Sequence, residues 1–126
     1  APSGVNDAQL KAIDKIGADR IYFAFDKSDL TEESRQILTQ KSELLKSFPA
    51  LSLLIEGHCD ERGTNEYNMA LGERRARAAY DYLVMMGIEA TRLSIMSYGE
   101  ERPAVPGSNE DAWAKNRRCE FKATAN

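Results

Sequence analysis

The apolar residues of this chain change period repeatedly, and that alternation leaves few folds open to it. In RIYFAFDKSDL, Ile21, Phe23 and Phe25 recur at every second position, the pattern of a short strand, and Asp26 stands just beyond it. From Thr31 to Phe48 the spacing becomes helical, with Ile37, Leu38, Leu44, Leu45 and Phe48 on one side. Thr31 is placed to cap that helix, Glu32 and Glu33 suit its positive end, and Pro49 stops it. LSLLIEG follows as a second strand, apolar on both faces and so expected at a central, covered position of the sheet. A polar loop leads to a long helix from about Glu66 to Met86, with Met69, Ala76, Ala79, Tyr80, Leu83 and Val84 on its apolar side and Gly87 at its end. RLSIMSYG reads as a third strand. A long irregular connection, with one helical turn around Trp113, then precedes the closing strand RRCEFKA. The order β-α-β-α-β-β predicts an α+β domain, its helices packed on one four-stranded mixed sheet.

The 126 residues, 42% of them hydrophobic, suffice for a single core. Residues 1–19 read as a polar tail or linker in which Leu10, Ile13 and Ile16 form one or two amphipathic helical turns, and residues 20–126 as the domain. A net charge of -3 provides no general attraction for phosphate, so nucleic acid is not an expected partner. No apolar run approaches the roughly 20 residues of a membrane helix, and the N-terminal APSG has no signal-peptide character, so the chain is expected to be soluble. Cys59 and Cys119 can form one disulfide in an oxidising compartment or stand as two buried thiols.

The segment GHCDERGTNEYNMALGERRAR holds the candidate chemistry. On the long helix Asn68, Leu71, Gly72 and Arg75 fall at i, i+3, i+4 and i+7, one face about 10 Å long. A glycine within a helix costs about 1 kcal/mol relative to alanine. Gly72 therefore implies close approach to its backbone, by a ligand or by a neighbouring strand. Asp60 lies just past the second strand, where α/β sheets tend to bind ligands. Across a cleft, Asp60 and Arg75 would suit a zwitterionic amino-acid group, the carboxylate accepting from an ammonium and the guanidinium pairing with a carboxylate. A plain salt bridge between the two is the alternative. Of Arg117 and Arg118, one can face a ligand. Arg62, Asn68 and Arg118 are secondary candidates.

Catalytic groups are scarce. His58 is the single histidine, so no metal site with helical His spacing exists and no cofactor is implied. His58 and Cys59 are neighbours in an extended segment and point to opposite sides. No G-x-S-x-G presents a serine nucleophile. A carboxylate pair such as Asp26 and Asp60 is the main enzymatic alternative, for glycoside hydrolysis.

GHCDERGTNEYNMALGERRARAAYDYL, RLSIMSYGEERP and AWAKNRRCEF, in that order, resemble the peptidoglycan-associated lipoprotein branch of the OmpA-like C-terminal domain family, over roughly Ile21 to Phe121. The resemblance implies a non-catalytic domain that binds the peptidoglycan stem peptide through diaminopimelate. By motif it assigns Asp60 of GH-x-D, Arg75 and Leu71 of N-x-x-L-x-x-x-R, and Phe25 and Asp26 of F-x-F-D to the pocket. It also implies a lipid anchor at an N-terminal cysteine absent here, a place on the periplasmic face of the outer membrane, a role in envelope integrity and cell division within the Tol-Pal system, and TolB as a partner competing with the wall. Relatives often have Thr where this chain has Cys59.

Overall fold

The computed structural model describes residues 6–125. Along the chain come α1 (Asp7–Ala18), β1 (Ile21–Tyr22), α2 (Glu32–Ser47), β2 (Leu51–His58), α3 (Asn65–Met85), β3 (Leu93–Gly99), α4 (Glu110–Asn116) and β4 (Arg118–Ala125). The four strands form one sheet in the order β1-β4-β2-β3, with β2 parallel to β3 and antiparallel to β4. This is the expected α+β domain on a mixed sheet, and β2 takes the central position that its two apolar faces require.

Local signals set the helix ends. Thr31 caps α2 by accepting from the Ser34 N–H, Thr64 caps α3 by accepting from the Tyr67 N–H, and after α3 the chain turns at Gly87 with φ 102°. Leu38 and Leu45 of α2 and Ala76, Ala79 and Leu83 of α3 pack on Leu51, Leu53 and Ile55 of β2 and Phe121 of β4. Met69 and Val84, expected on the apolar side of α3, are exposed instead, because the helix buries a stripe rather than half its circumference.

Three expectations need correcting. The segment read as a tail with one or two turns holds the twelve-residue helix α1, whose Ala12 and Ile16 are buried in the core; residues 1–5 lie outside the described part. Its sparse apolar residues suffice because they meet β4 and α2, and the buried Lys41 ammonium of α2 donates to the Ile16 carbonyl near its C-terminal end. β1 is only two residues long: the chain leaves the sheet after Phe23, and Asp26 adopts φ 58° in a turn that Lys27 N–H closes on the Ala24 carbonyl. Phe25 is consequently 56% exposed rather than part of the strand. Around Trp113 the chain makes a seven-residue helix, not a single turn, capped by Asn109.

On the sheet face away from the core, Glu56 and His58 are buried beside each other, with His58 Nε2 3.1 Å from Glu56 Oε1 and the His58 ring stacked on Tyr98. Lys122 pairs with Glu56 at 3.1 Å, and Arg118 with Glu120 at 2.6 Å. Burial, then the Arg118 charge, lowers the His58 pKa against the pull of Glu56. The native state therefore binds fewer protons than the unfolded chain below pH 6.5. The His58 contribution to stability is complete above that pH and lost as pH falls through the lowered native value. Urea midpoints of the wild type are expected to fall between pH 7 and pH 5, and the fall to shrink in His58→Gln; equal slopes would refute it.

Candidate functional site

Three segments converge on a pocket of about 250 Å³: the turn after β1, the loop from Cys59 to Thr64, and the first half of α3. Phe25, Asp26, Asp60, Leu71 and Arg75 all border it, as do the secondary candidates Arg62 and Asn68. Arg118 does not. It sits on β4 opposite His58, bound to Glu120 and to the backbone carbonyls of Asn116 and Arg102.

α3 approaches β2 closely enough to form this pocket because two glycines meet. A Cβ on Gly57 would lie 1.8 Å from the Gly72 carbonyl oxygen, and one on Gly72 would lie 3.0 Å from that of Gly57. The backbone that needs Gly72 to be small is thus a neighbouring strand, not a ligand. This contact sets the depth at which Asn68, Leu71 and Arg75 sit.

Arg75 is fully buried. Its Nε donates to the Lys27 carbonyl at 2.8 Å, Nη1 to that of His58 at 2.9 Å and Nη2 to that of Ala24 at 3.3 Å, and the Phe23 ring lies 5.2 Å from its carbon. No carboxylate pairs with it among the described residues, so the expected alternative of an Asp60–Arg75 salt bridge is not found. Burial lowers its pKa, yet an arginine in a protein keeps its proton. The pocket therefore borders a buried cation held by carbonyl dipoles, with further guanidinium N–H groups left over. Such a group attracts an incoming carboxylate.

Asp60 stands at the other pole, 5% exposed. Its Oδ1 accepts the backbone N–H of Arg62 at 3.0 Å, its Oδ2 accepts from Arg62 Nη2 at 2.9 Å, and Arg117 Nη1 lies 3.6 Å from Oδ2. Burial by itself raises the Asp60 pKa, but the Arg62 hydrogen bonds and the Arg62 and Arg117 charges outweigh it and hold the group below the usual carboxylate range. A carboxyl so held is suited to receiving an ammonium. It is poorly suited to the general-acid half of a glycosidase pair, which needs a raised pKa.

Asn68 organises the loop, its amide donating to the Arg62 carbonyl at 3.0 Å and to Glu100 Oε1 at 2.8 Å. Cys59, on the pocket wall, donates its thiol to the Asn68 carbonyl at 3.2 Å, a role open to any small donor at this position. Cys59 and Cys119 are both free and buried. Burial pushes the Cys59 thiol up to about 11 and the Cys119 thiol higher still, so neither is a nucleophile at neutral pH.

Three residues of the site escaped the sequence reading, and a fourth, Arg117, stood there only as one of two equivalent arginines. Tyr67 donates its hydroxyl to Asp26 Oδ1, and that bond, then burial, raises its pKa. Gly63 turns the loop at φ 98°. Trp113 donates to Glu61 Oε1 at 3.0 Å and stacks on Arg62. Arg117, buried, donates from Nε to the Phe23 carbonyl at 2.8 Å and pairs with Glu110 at 3.1 Å. Tyr67 stands four residues before Leu71 on α3, and that helical spacing was a signal for it.

The OmpA family model matches residues 22–117. The chain is 53% identical over 99 residues to the peptidoglycan-associated lipoprotein of Haemophilus influenzae, covering 79% of this chain and 65% of that protein. It is 46% identical over 117 residues to that of Pseudomonas aeruginosa, covering 93% and 66%. It thus spans slightly under two thirds of the length of these curated relatives. The crystal structure of the peptidoglycan-associated lipoprotein from Burkholderia pseudomallei superposes with a TM-score of 0.83 at 34% identity, over 97% of this chain and 98% of that one. The C-terminal domain of Helicobacter pylori MotB shares the fold, with a TM-score of 0.79 at 20% identity over 87% of each chain. With its alternation of strands and helices, its glycine-packed α3 and its motifs all accounted for, the chain belongs to the OmpA family, in the branch of the peptidoglycan-associated lipoproteins.

Proposed function

We propose that this domain binds peptidoglycan without cleaving it, by gripping the free amino-acid end of diaminopimelate in the stem peptide. The observation that carries the reading is the pocket with two separated ionic poles: an ionised Asp60 at one side and the buried Arg75, without a carboxylate partner among the described residues, at the other. Leu71 and Phe25 line the same pocket and suit the methylene chain of the ligand. An α-amino acid head, one ammonium and one carboxylate, matches both poles at once. The names of the relatives, which associate those proteins with peptidoglycan, support the same choice. In this reading the full-length protein is lipid-anchored on the periplasmic face of the outer membrane and tethers it to the wall within the Tol-Pal system, with TolB competing for the same surface. The exposed rings of Phe25 and Tyr67 at the pocket rim are suited to such a partner.

Co-sedimentation with purified sacculi tests it. The wild type is expected to pellet without releasing soluble muropeptides. Asp60→Asn keeps the acceptor for the Arg62 N–H but removes the charge, and is expected to lose at least about tenfold in affinity, since a hydrogen bond to a charged group is worth roughly 1.5–3 kcal/mol. Undiminished pelleting of that variant would sink the pocket assignment, and muropeptide release would sink the non-catalytic reading.

A further inference from the structure

Arg62 occupies the oxygens that a ligand ammonium would need. Its Nη2 lies 2.9 Å from Asp60 Oδ2 and its Nε 3.3 Å from Oδ1, while its guanidinium is sandwiched between the rings of Phe25 and Trp113, 4.0 Å from each centroid. The loop does not need this side chain to hold its shape. The Arg62 N–H bonds to Asp60 Oδ1, the Arg62 carbonyl accepts from Asn68, and Gly63 makes the turn. The guanidinium is therefore an addition to a loop already fixed by its backbone, placed over one pole of the pocket.

We infer that Arg62 is an internal stand-in for the cationic group of the ligand, displaced from Asp60 when that group binds. The inference rests on the reading of Asp60 as the ammonium acceptor. Arg62 already hydrogen-bonds both carboxylate oxygens, so an ammonium that is to bond them must take the place of the guanidinium. Arg117 then becomes the resident counterion. Its Nη1 is buried without a hydrogen-bond partner, 3.6 Å from Asp60 Oδ2, and keeps the carboxylate ionised while Arg62 is away. Selectivity follows from the exchange: a ligand without a free ammonium cannot replace the Arg62 hydrogen bonds and is rejected, whatever its carboxylate does at Arg75. Phe25 and Trp113 hold the guanidinium at rest and lose that contact when it departs.

Trp113 is the single tryptophan of the chain, so its fluorescence reports on Arg62 alone among the arginines stacked on aromatic rings. The probe is a stem tripeptide ending in diaminopimelate, titrated into wild type and Arg62→Ala with affinities read by calorimetry. The wild type is expected to bind with a saturable change in Trp113 emission. Arg62→Ala is expected to bind roughly threefold to tenfold tighter, the reach of a partly exposed ion pair, with that emission change lost. The same tripeptide acetylated on the diaminopimelate amine is expected to bind neither protein measurably. Weaker or equal affinity in Arg62→Ala, with the wild type binding, overturns the displacement and makes Arg62 a ligand contact or a bystander. Failure of both proteins to bind the free tripeptide overturns the proposed function, and the displacement with it.

Discussion

Replacing Arg75 by Ala is expected to lower folding stability by about 3 kcal/mol, the scale for removing one member of a buried charged network. The truncation strips the carbonyls of Lys27, His58 and Ala24 of their shared donor and opens a void beneath Phe23. Relief from keeping a cation out of water offsets part of the loss. Those three carbonyls belong to the turn after β1, which walls the pocket, and to the end of β2, which leads into its loop, so Arg75 is a clamp as well as a pole. Arg75→Met, which keeps most of the volume, separates lost hydrogen bonds from the void and is expected to recover about 1 kcal/mol of the deficit. Urea midpoints of the two variants check both figures. An unchanged midpoint in Arg75→Ala would refute the clamp and leave Arg75 purely a binding group. Binding by Arg75→Ala is measured without urea, at a temperature where the variant is folded.

The second large effect is expected at Gly57. Alanine there places a methyl 1.8 Å from the Gly72 carbonyl oxygen and 2.6 Å from its carbon, both backbone atoms of α3. The helix must move off the sheet, and such overpacking costs about 3 kcal/mol. Gly72→Ala meets Ser97 Oγ at 2.2 Å, a side chain that can rotate away, and stands 3.0 Å from the Gly57 oxygen. It also gains about 1 kcal/mol of helix propensity, so its net cost is expected to be smaller, about 1–2 kcal/mol. The order Gly57→Ala worse than Gly72→Ala in chemical denaturation is the test, and the reverse order would contradict the packing. Since α3 carries Arg75 and Leu71 while β2 leads to Asp60, any displacement also changes the separation of the poles. Sacculus binding by Gly57→Ala is expected to weaken even under conditions where it remains folded.

The neighbouring pair Arg117 and Arg118 shows how far the sequence could be read. Arg117 and Arg118 looked equivalent there, and the secondary choice of Arg118 placed the charge on the wrong side. Register decides the matter: Arg118 pairs opposite His58 and is taken by Glu120, while Arg117, at the cap before β4, turns toward Asp60. Arg62, in contrast, is two residues from the carboxylate it binds, and its place at the site was within reach. Its stacking on Phe25 and Trp113 was not, because those rings arrive from opposite ends of the chain.

What the sequence determined by itself is what neighbouring residues decide among themselves. Strand and helix periods, the Thr31 cap, the turn after α3 and the single face carrying Asn68, Leu71, Gly72 and Arg75 all follow from contacts within about one helical turn. Tertiary structure alone decided what each charged group holds. Arg75 is bound by carbonyls 48 and 51 residues away, Asp60 faces Arg117 rather than Arg75, and the sparse apolar residues of α1 close the core. The physical reason is that a buried polar or apolar group must be satisfied by whatever the fold brings to it, and that partner is set by register and packing depth, which no local spacing contains.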